Sequence, residues 1–283
     1  AEGISFSVLD KLKIVRLLDE LGVDYAEAGN PGSNPKDLEF FKEAAKLELQ
    51  TVKLVAFGAT RRANVKAHDD VGLAQLLSAG TQTVSVFGKS WDFQVTAILR
   101  TTLEENLAMI ADTVAFLKAQ DREVIFDAEH FFDGYKGNRA YAMETLQAAV
   151  QAGASAIVLC DTRGGSLPSF VGEAVREVAA TLAGSPVDIG IHTHNDSSCA
   201  EANSLVAVEN GARHVQGTLV GFGERCGNAN LAAMIPTLAL KMGYDLLTGG
   251  ALPKLTLAAR SVAEIANIGI PEGMPYVGLR AFT

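Results

Sequence analysis

Short runs of apolar residues alternate along this chain with longer segments in which apolar residues recur every three or four positions. The short runs predict buried strands, whereas the longer segments predict amphipathic helices. Repetition of strand and helix favours a parallel sheet covered by helices. The seven predicted strands are residues 23–28, 52–57, 83–87, 124–127, 156–160, 187–191 and 214–220.

Several of the predicted helices carry a start signal or a clear apolar face. Ser7 is the expected N-cap of the first helix, with Asp10 at its third position. Thr102 and Glu105 have the spacing of a capping box at the start of a later helix. The apolar face of another helix is made by Val171, Val175, Val178 and Leu182.

Two architectures fit such a sheet, an open doubly wound sheet and a closed barrel. The sequence has no G-x-G-x-x-G after a strand and no phosphate loop, which argues against a nucleotide-binding open sheet. Polar residues instead follow the ends of successive predicted strands, as in a barrel that gathers these ends around one mouth. We therefore expect a TIM (β/α)8 barrel. The polar residues are Glu27, Ser90, Asp127, Glu129, Asp161, Thr162, His192, His194, Glu224 and Asn228.

The predicted elements begin with a helix, so we expect the first barrel strand to lie ahead of residue 1. The seven predicted strands then correspond to the second through eighth strands of the barrel. We expect residues 1–250 to form a catalytic barrel and residues 251–283 to begin a C-terminal linker subdomain that continues beyond the chain.

Composition narrows the classes of function. The 283 residues are 48% hydrophobic and 20% charged, which is typical of a soluble globular protein. A net charge of −9 argues against nucleic acid or an anionic membrane as the main partner. Three scattered cysteines do not suit a disulfide framework, and no apolar stretch approaches the roughly 20 residues that span a bilayer. A cytoplasmic location is the expectation.

The pair His192 and His194 is the first sign of chemistry. Residues i and i+2 of a strand point to the same side, and a neutral imidazole is a common metal ligand. The alternative is one core and one surface histidine. Asn195 and Asp196 follow directly, and Asn228 lies in the loop after the next strand. This convergence of ligand-type groups favours a metal site.

Five motifs spread over nearly the whole chain point to one family. With them, the chain resembles the acyl-CoA-condensing branch of the DRE-TIM metallolyases, which comprises isopropylmalate, homocitrate and citramalate synthases. The run FDAEHFFDGYK at residues 126–136 is the most specific of them, and the match as a whole looks most similar to the long-chain bacterial citramalate-synthase members. The other motifs are PGSNPKD (31–37), FGKSWD (87–92), HTHND (192–196) and GFGERCGNAN (221–230).

The resemblance implies a Claisen condensation of acetyl-CoA with a 2-keto acid, most of all pyruvate, at a divalent cation (Mg²⁺, Mn²⁺, Zn²⁺ or Co²⁺). It implies that His192, His194 and Asn228 bind this cation, together with an Asp from an Arg-Asp pair ahead of residue 1. A homodimer is also implied.

Catalytic roles follow from the same resemblance, each with a plainer alternative. Glu129 positions the acetyl group or moves its proton, or is only an exposed loop acid. Thr162 hydrogen-bonds the carboxylate of the keto acid, or belongs to a turn or helix cap. Glu27 acts in catalysis or only braces the mouth of the barrel.

The residues around the expected ligands also have two interpretations. Asn195, Asp196, Glu224 and Arg225 are expected to orient Asn228 and the imidazoles, and the alternative for Glu224 and Arg225 is a plain ion pair in a loop. Cys226 is interpreted as a packing residue rather than a thiolate ligand. The cations Lys89, Arg61 and Arg62 are candidate contacts for coenzyme A phosphates, or solvated surface residues.

Four positions depart from the family pattern, namely Asn30, Gln94, Arg163 and Val220. Each changes polarity near the mouth, and Arg163 adds a fixed charge that fits a second substrate carboxylate. Three hypotheses therefore stay open. The protein is a citramalate synthase, a related carboligase or lyase with another substrate, or a catalytically silent barrel that serves as a binding module.

Overall fold

The computed structural model describes residues 3–283 of the chain. Its seven strands form one parallel sheet in which neighbours follow the order of the chain. The strands are β1 (Tyr25–Gly29), β2 (Lys53–Ala59), β3 (Thr83–Lys89), β4 (Glu123–Glu129), β5 (Ala156–Asp161), β6 (Asp188–Thr193) and β7 (His214–Gln216). The number, order and approximate position of the predicted strands are confirmed.

The sheet is strongly curled, as the contacts between side chains of distant strands inside it show. The rings of Tyr25 on β1 and His214 on β7 are 5.5 Å apart, and Gln216 on β7 bonds Asp127 on β4 at 3.0 Å. In a flat sheet, β1 and β7 would be separated by roughly 29 Å. The predicted α/β barrel class is confirmed. Among residues 3–283, β1 and β7 each pair with one strand, so the expected additional strand stays a prediction.

Helices cover the outer face of the curled sheet. They are α1 (Val8–Leu21), α2 (Pro35–Ala44), α3 (Val71–Ser78), α4 (Leu103–Ala119), α5 (Phe131–Gly137), α6 (Arg139–Gln151), α7 (Pro168–Thr181), α8 (Ala200–Glu209), α9 (Leu231–Pro236) and α10 (Leu255–Ile265). Two π-helical turns occur at Gln94–Leu99 and Thr237–Lys241, and 3₁₀ turns at Ala67–Asp69, Thr248–Gly250 and Leu252–Lys254. None of the described helices is long and apolar enough to cross a membrane.

The two predicted helix starts differ in outcome. Ser7 and Asp10 form the complete reciprocal capping box of α1. At α4, the Thr102 hydroxyl accepts from the backbone N–H of Glu105 at 3.1 Å. The Glu105 carboxylate, however, accepts from Arg61 at 2.7 Å, because this buried guanidinium is a stronger partner than a backbone amide. Only half of the second prediction is therefore correct.

The last strand is shorter than predicted. We expected residues 214–220, but β7 ends at Gln216. A Cβ atom at Gly217 would lie 2.6 Å from the carbonyl oxygen of Ala229, so the following loop packs directly on this glycine. Thr218 then pairs with this loop, since its backbone N–H donates to Ala229 O at 3.0 Å.

The two largest apolar clusters of the described residues support the barrel. The larger lies between sheet and helices and includes the fully buried Phe40, Phe126 and Leu146. The smaller joins α1, α9 and α10, with Leu21 and Val262 among its members. The predicted domain boundary at residue 250 is not tested by this packing and stays a prediction.

Candidate active site

Two imidazoles meet at the mouth of the barrel, as the spacing of His192 and His194 suggested. Their Nε2 atoms are 3.3 Å apart, and the side-chain amide of Asn228 lies 3.0 Å from His192 Nε2. Asn228 reaches this place because its loop runs antiparallel to the end of β6. The N–H of Ala229 donates to Thr193 O at 3.1 Å and the N–H of Asn195 donates to the carbonyl of the residue before Asn228 at 2.9 Å.

This arrangement fits a divalent cation. Burial and, next, the charge of His194 lower the pKa of His192 to about 4, while burial and then Arg225 lower the pKa of His194, so both rings are neutral near pH 7. Two imidazole nitrogens on one zinc-like cation would be about 2.8–3.4 Å apart. Among the described residues, His194 Nδ1 is buried without a hydrogen-bond partner.

The described ligand set is small. Residues 3–283 contain no group of three or more His, Cys, Asp or Glu side chains placed to hold one metal ion. What the structure brings together is two imidazoles and one amide. The acidic ligand implied by the resemblance lies outside the described residues and stays a prediction.

Two residues behind the imidazoles, Ser85 and Gln216, were not predicted from the sequence. Nδ1 of His192 lies 2.9 Å from Gln216 Oε1, and Gln216 Nε2 donates to Asp127 Oδ1 at 3.0 Å. The Ser85 hydroxyl donates to the other oxygen of Asp127 at 2.9 Å. The overlooked signal is a polar residue at the inward positions of otherwise apolar strands, since period-2 alternation places Ser85 and Gln216 inside the barrel.

Two carboxylic acids, Asp127 and Glu27, lie close enough together for the charge of Asp127 to affect Glu27. Burial raises the pKa of Asp127 to about 6, although Ser85 and Gln216 donate to it. Enclosure by the barrel wall and then the charge of Asp127 raise the pKa of Glu27 to about 8, while solvent still reaches this side chain. Raised carboxyl pKa values in a cleft are typical of sites that handle protons.

Glu129 forms a partly buried ion pair with Lys89. Their charged atoms are 2.5 Å apart, and the side chains are only 22% and 15% exposed. The pair exists because parallel pairing sets the two residues side by side at the ends of β3 and β4. The alternatives of an exposed loop acid and a solvated surface lysine do not describe these two residues. The catalytic role of Glu129 and the contact of Lys89 with coenzyme A stay predictions.

Thr162 lies beside this pair, in the loop after β5. Its hydroxyl accepts from the backbone N–H of His130 at 2.8 Å, and its carbonyl accepts from Arg225 at 2.8 Å. His130 has a φ of 61°, a left-handed conformation that the hydroxyl helps to hold. Thr162 is not a helix cap, because α7 starts only at Pro168.

Arg225 is held by Asp196 rather than by Glu224. The Asp196 carboxylate accepts from Nε at 2.8 Å and from Nη2 at 2.9 Å, whereas Glu224 is 74% exposed and 3.5 Å away. Gly164 makes room for this bidentate pair, since its Cβ would lie 2.3 Å from an Asp196 oxygen. The Asn195 side chain accepts from Ala200 N at 3.1 Å and fixes the start of α8.

The remaining candidates, Arg61, Arg62 and Cys226, differ in how far they are exposed to solvent. Arg61 is 5% exposed and bound at 2.7 Å to both Glu105 and Asp112, so it is not free to bind a coenzyme phosphate. Arg62 is 67% exposed. Cys226 is exposed, which does not support the interpretation as a packing residue.

The four departures from the family pattern have distinct local roles. Val220 is buried in the core beneath α10, and the Asn30 side chain accepts from Gly32 N at 3.0 Å in a turn. Gln94 begins a π-helical turn. Arg163 lies at the mouth, 6.0 Å from the ring centre of Trp91 and 3.4 Å from Asp133. Only Arg163 thus adds a charge that a ligand at the mouth could meet.

Comparison with known proteins agrees with the geometry. The model of the HMGL-like family matches residues 1–262. The (R)-citramalate synthase of Aquifex aeolicus is 52% identical over 99% of this chain and 53% of its own length. The 2-isopropylmalate synthase of Pelotomaculum thermopropionicum is 33% identical over 99% of this chain and 54% of its own length. The chain thus spans about half the length of the curated relatives it matches.

Solved structures support the fold. The HMG-CoA lyase of Bacillus subtilis superposes with a TM-score of 0.75 at 19% identity, covering 95% of this chain and 90% of the lyase. The resemblance that the five motifs indicated is therefore confirmed. The chain belongs to the HMGL-like family.

Proposed function

We propose that this chain is the catalytic barrel of an (R)-citramalate synthase, which condenses acetyl-CoA with pyruvate and releases coenzyme A. The observation that carries the proposal is the meeting of His192, His194 and Asn228 at the mouth of the barrel. The 52% identity to the Aquifex citramalate synthase supports the choice of substrates. A homodimer and a cytoplasmic location are part of the same proposal.

His192, His194 and Asn228 would hold the divalent cation, with the carbonyl oxygen of Asn228 turned toward it. Rotation of the amide by 180° exchanges its nitrogen and oxygen and would present this oxygen. When bound, the cation would polarise the keto carbonyl of pyruvate and orient its carboxylate. The neutral state of both rings supports this role, because a protonated imidazole cannot bind a metal.

The Glu129 carboxylate would take a proton from the methyl group of the acetyl thioester, so that this carbon can form the new bond to the keto carbon. As this bond forms, the π electrons of the keto carbonyl would move to its oxygen, which would take a proton from Glu27. Lys89 orients the carboxylate through their 2.5 Å contact. Water then hydrolyses the thioester and frees the coenzyme A thiol. Glu27 would act as a proton-holding acid near the keto acid, which its raised pKa supports.

Thr162 would bind the carboxylate of the keto acid. Its hydroxyl oxygen accepts from His130, and this leaves the hydroxyl hydrogen for a bond to a substrate. Arg225 holds the Thr162 backbone and Asp196 together, so the two loops that carry Thr162 and Asn228 keep their relative position.

A cavity of about 340 Å³ beside Lys89 is the candidate site for the thioester arm. Phe87, Leu99 and Met109 line it with apolar surface, and Arg62 and Lys89 contribute positive charge. Apolar walls with a few convergent cations suit the pantetheine arm of coenzyme A and the phosphates to which that arm is attached.

The test is release of coenzyme A thiol by the purified protein with acetyl-CoA, Mn²⁺ or Mg²⁺, and one of four acids: pyruvate, 2-ketobutyrate, 2-ketoisovalerate or 2-ketoglutarate. We expect metal-dependent release with pyruvate and citramalate as the product. Glu129→Gln should lower the rate by about 10²–10⁴-fold, because the residue exchanges a proton with the substrate. Glu144→Gln, at an exposed acid of α6, is the matched control.

Each other outcome identifies an alternative. Preference for another acid would make the protein a related carboligase, and no release under any condition would favour the silent barrel. An unchanged rate in Glu129→Gln would remove this residue from the reaction.

A further inference from the structure

A line of hydrogen bonds crosses the barrel interior from β3 to β6 and ends on an imidazole of the candidate metal site. Ser85 donates to Asp127 at 2.9 Å, and Asp127 accepts from Gln216 Nε2 at 3.0 Å. Gln216 Oε1 lies 2.9 Å from His192 Nδ1. Asp127 and Ser85 are buried, so water does not compete for these bonds.

The Asp127 carboxylate decides which way the Gln216 amide points. An ionised carboxylate only accepts hydrogen bonds, and an amide offers a donor at one end and an acceptor at the other. With the NH₂ group toward Asp127, both contacts of the amide are favourable. In the reverse orientation, the amide oxygen would face the carboxylate, and two acceptors would be buried against each other.

The amide orientation in turn decides where His192 carries its proton. Gln216 Oε1 can only accept, so Nδ1 of His192 must donate, and the neutral ring then has a bare Nε2. The contact on the other side of the ring agrees, because the Asn228 amide lies 3.0 Å from Nε2 and donates to it. A reversed Gln216 would place the proton on Nε2 and block its lone pair.

We infer that Gln216, oriented by Asp127, is a positioning residue that keeps His192 in the Nδ1–H tautomer and so leaves Nε2 free to bind a divalent cation. This inference rests on the proposed function for its use of the cation. Asp127 on β4 and Gln216 on β7 thereby take part in a site whose proposed ligands lie on β6, directly after β6, and in the loop after β7.

The first test is Mn²⁺ binding, followed by loss of the electron paramagnetic resonance signal of free Mn²⁺. Gln216→Leu should weaken binding by about 10–100-fold, because the ring loses the partner that sets its tautomer. Gln216→Glu keeps an acceptor oxygen for the ring, and a proton shared with the Asp127 carboxylate replaces the lost N–H donor, so its affinity should stay within about fivefold of wild type. The matched control is Ser204→Ala, which removes a 2.8 Å buried bond to Thr193 on the opposite face of β6.

The second test reads the tautomer directly in the metal-free protein, from long-range ¹H–¹⁵N correlations of the five histidine rings. Wild type and Gln216→Glu should show His192 protonated at Nδ1. Gln216→Leu should move the proton toward Nε2, which free neutral histidine prefers. Asp127→Asn should give a mixture, because its amide can face Gln216 with either end.

An unchanged tautomer in Gln216→Leu would overturn the inference, as would an equal loss of affinity in Ser204→Ala. A wild-type tautomer in Asp127→Asn would overturn the part assigned to Asp127. If wild-type protein bound no Mn²⁺, the proposed function would fail, and the tautomer would still decide whether Gln216 positions His192.

Discussion

Polar side chains form two layers inside this barrel, and the layers differ in how completely their groups are paired. At the amino ends of the strands, Glu123 accepts from Tyr25 at 2.7 Å, from Thr83 at 2.8 Å and from Lys53 at 3.1 Å. At the carboxyl ends, the Nε2 atoms of His192 and His194 face each other. Both layers arise from the same inward alternation of strand residues.

The pKa shifts record this difference. Burial alone would raise the pKa of Glu123, but the hydrogen bonds from Tyr25, Thr83 and Lys53 lower this pKa below its ordinary value. At the other end, burial raises the pKa of Asp127 despite two donors. The layer at the amino ends of the strands, the lower layer, therefore stabilises the charged form of its acid. The layer at the carboxyl ends, the upper layer, destabilises the charged form of its acid.

A buried polar residue thus stabilises the fold where the chain itself supplies its hydrogen-bond partners. It can serve function where a ligand has to supply one of them. A satisfied network holds the strands in register. An unsatisfied one costs folding free energy and is kept at sites that bind or react. Substitutions in the two layers should therefore have opposite effects on stability and activity.

Substitution in the upper layer should give the largest effect. His194→Ala removes an expected cation ligand and should lower coenzyme A release by on the order of a thousandfold. The free energy of unfolding should change by less than about 1 kcal/mol, because Nδ1 of His194 has no partner to lose among the described residues and the 3.3 Å contact of its Nε2 with His192 is long for a hydrogen bond. Urea denaturation and the thiol assay measure both quantities. Large destabilisation of His194→Ala would erase the distinction between the layers.

Substitution in the lower layer should reverse this pattern. Glu123→Leu leaves the Tyr25 hydroxyl, the Thr83 hydroxyl and the Lys53 ammonium without their shared acceptor, and should cost about 2–4 kcal/mol of unfolding free energy. The rate per folded molecule should stay unchanged. Glu123→Gln keeps an acceptor and should lose less. Fluorescence of the single Trp91 follows unfolding, and a stable but inactive Glu123→Leu variant would contradict the prediction.

The smallest expected effect is a difference between wild type and variants in how the unfolding free energy changes with pH. It is measured in metal-free buffer. Because the pKa of Asp127 is raised to about 6, the folded state binds more protons than the unfolded state, and this residue lowers stability as pH rises from about 4 to 6. Asp127→Asn should therefore gain stability relative to wild type over this range.

The contribution of Glu123 to the unfolding free energy should change with pH in the opposite direction. The pKa of Glu123 is lower in the folded state than in the unfolded state. Glu123 therefore contributes stability at pH values above its unfolded-state pKa, and this contribution is lost as the pH falls through its folded-state pKa. Glu123→Gln should therefore be least harmful in acid and most harmful near neutral pH. Parallel curves for wild type and both variants would show that the two acids have similar surroundings.

Local patterns in the sequence were sufficient for the secondary structure and for half of the site. Apolar alternation predicted seven strands, the Ser7 and Asp10 pair predicted the start of α1, and the i, i+2 spacing brought His192 and His194 together. These features depend on sterics and solvation within a few residues, which the order of residues states directly.

Tertiary structure alone decided which distant groups became partners. Curling of the sheet brought Gln216 on β7 to Asp127 on β4, and the pairing of neighbouring strands set Lys89 beside Glu129. Packing of the loops joined Asp196 to Arg225 and ended β7 at Gly217. Such pairings depend on how strands close around a common interior, and a hydrogen bond between residues 89 positions apart leaves no periodic trace in the sequence. The sequence by itself thus determined the elements and the types of the candidate ligands, and the packing of strands and loops around a common interior determined their partners.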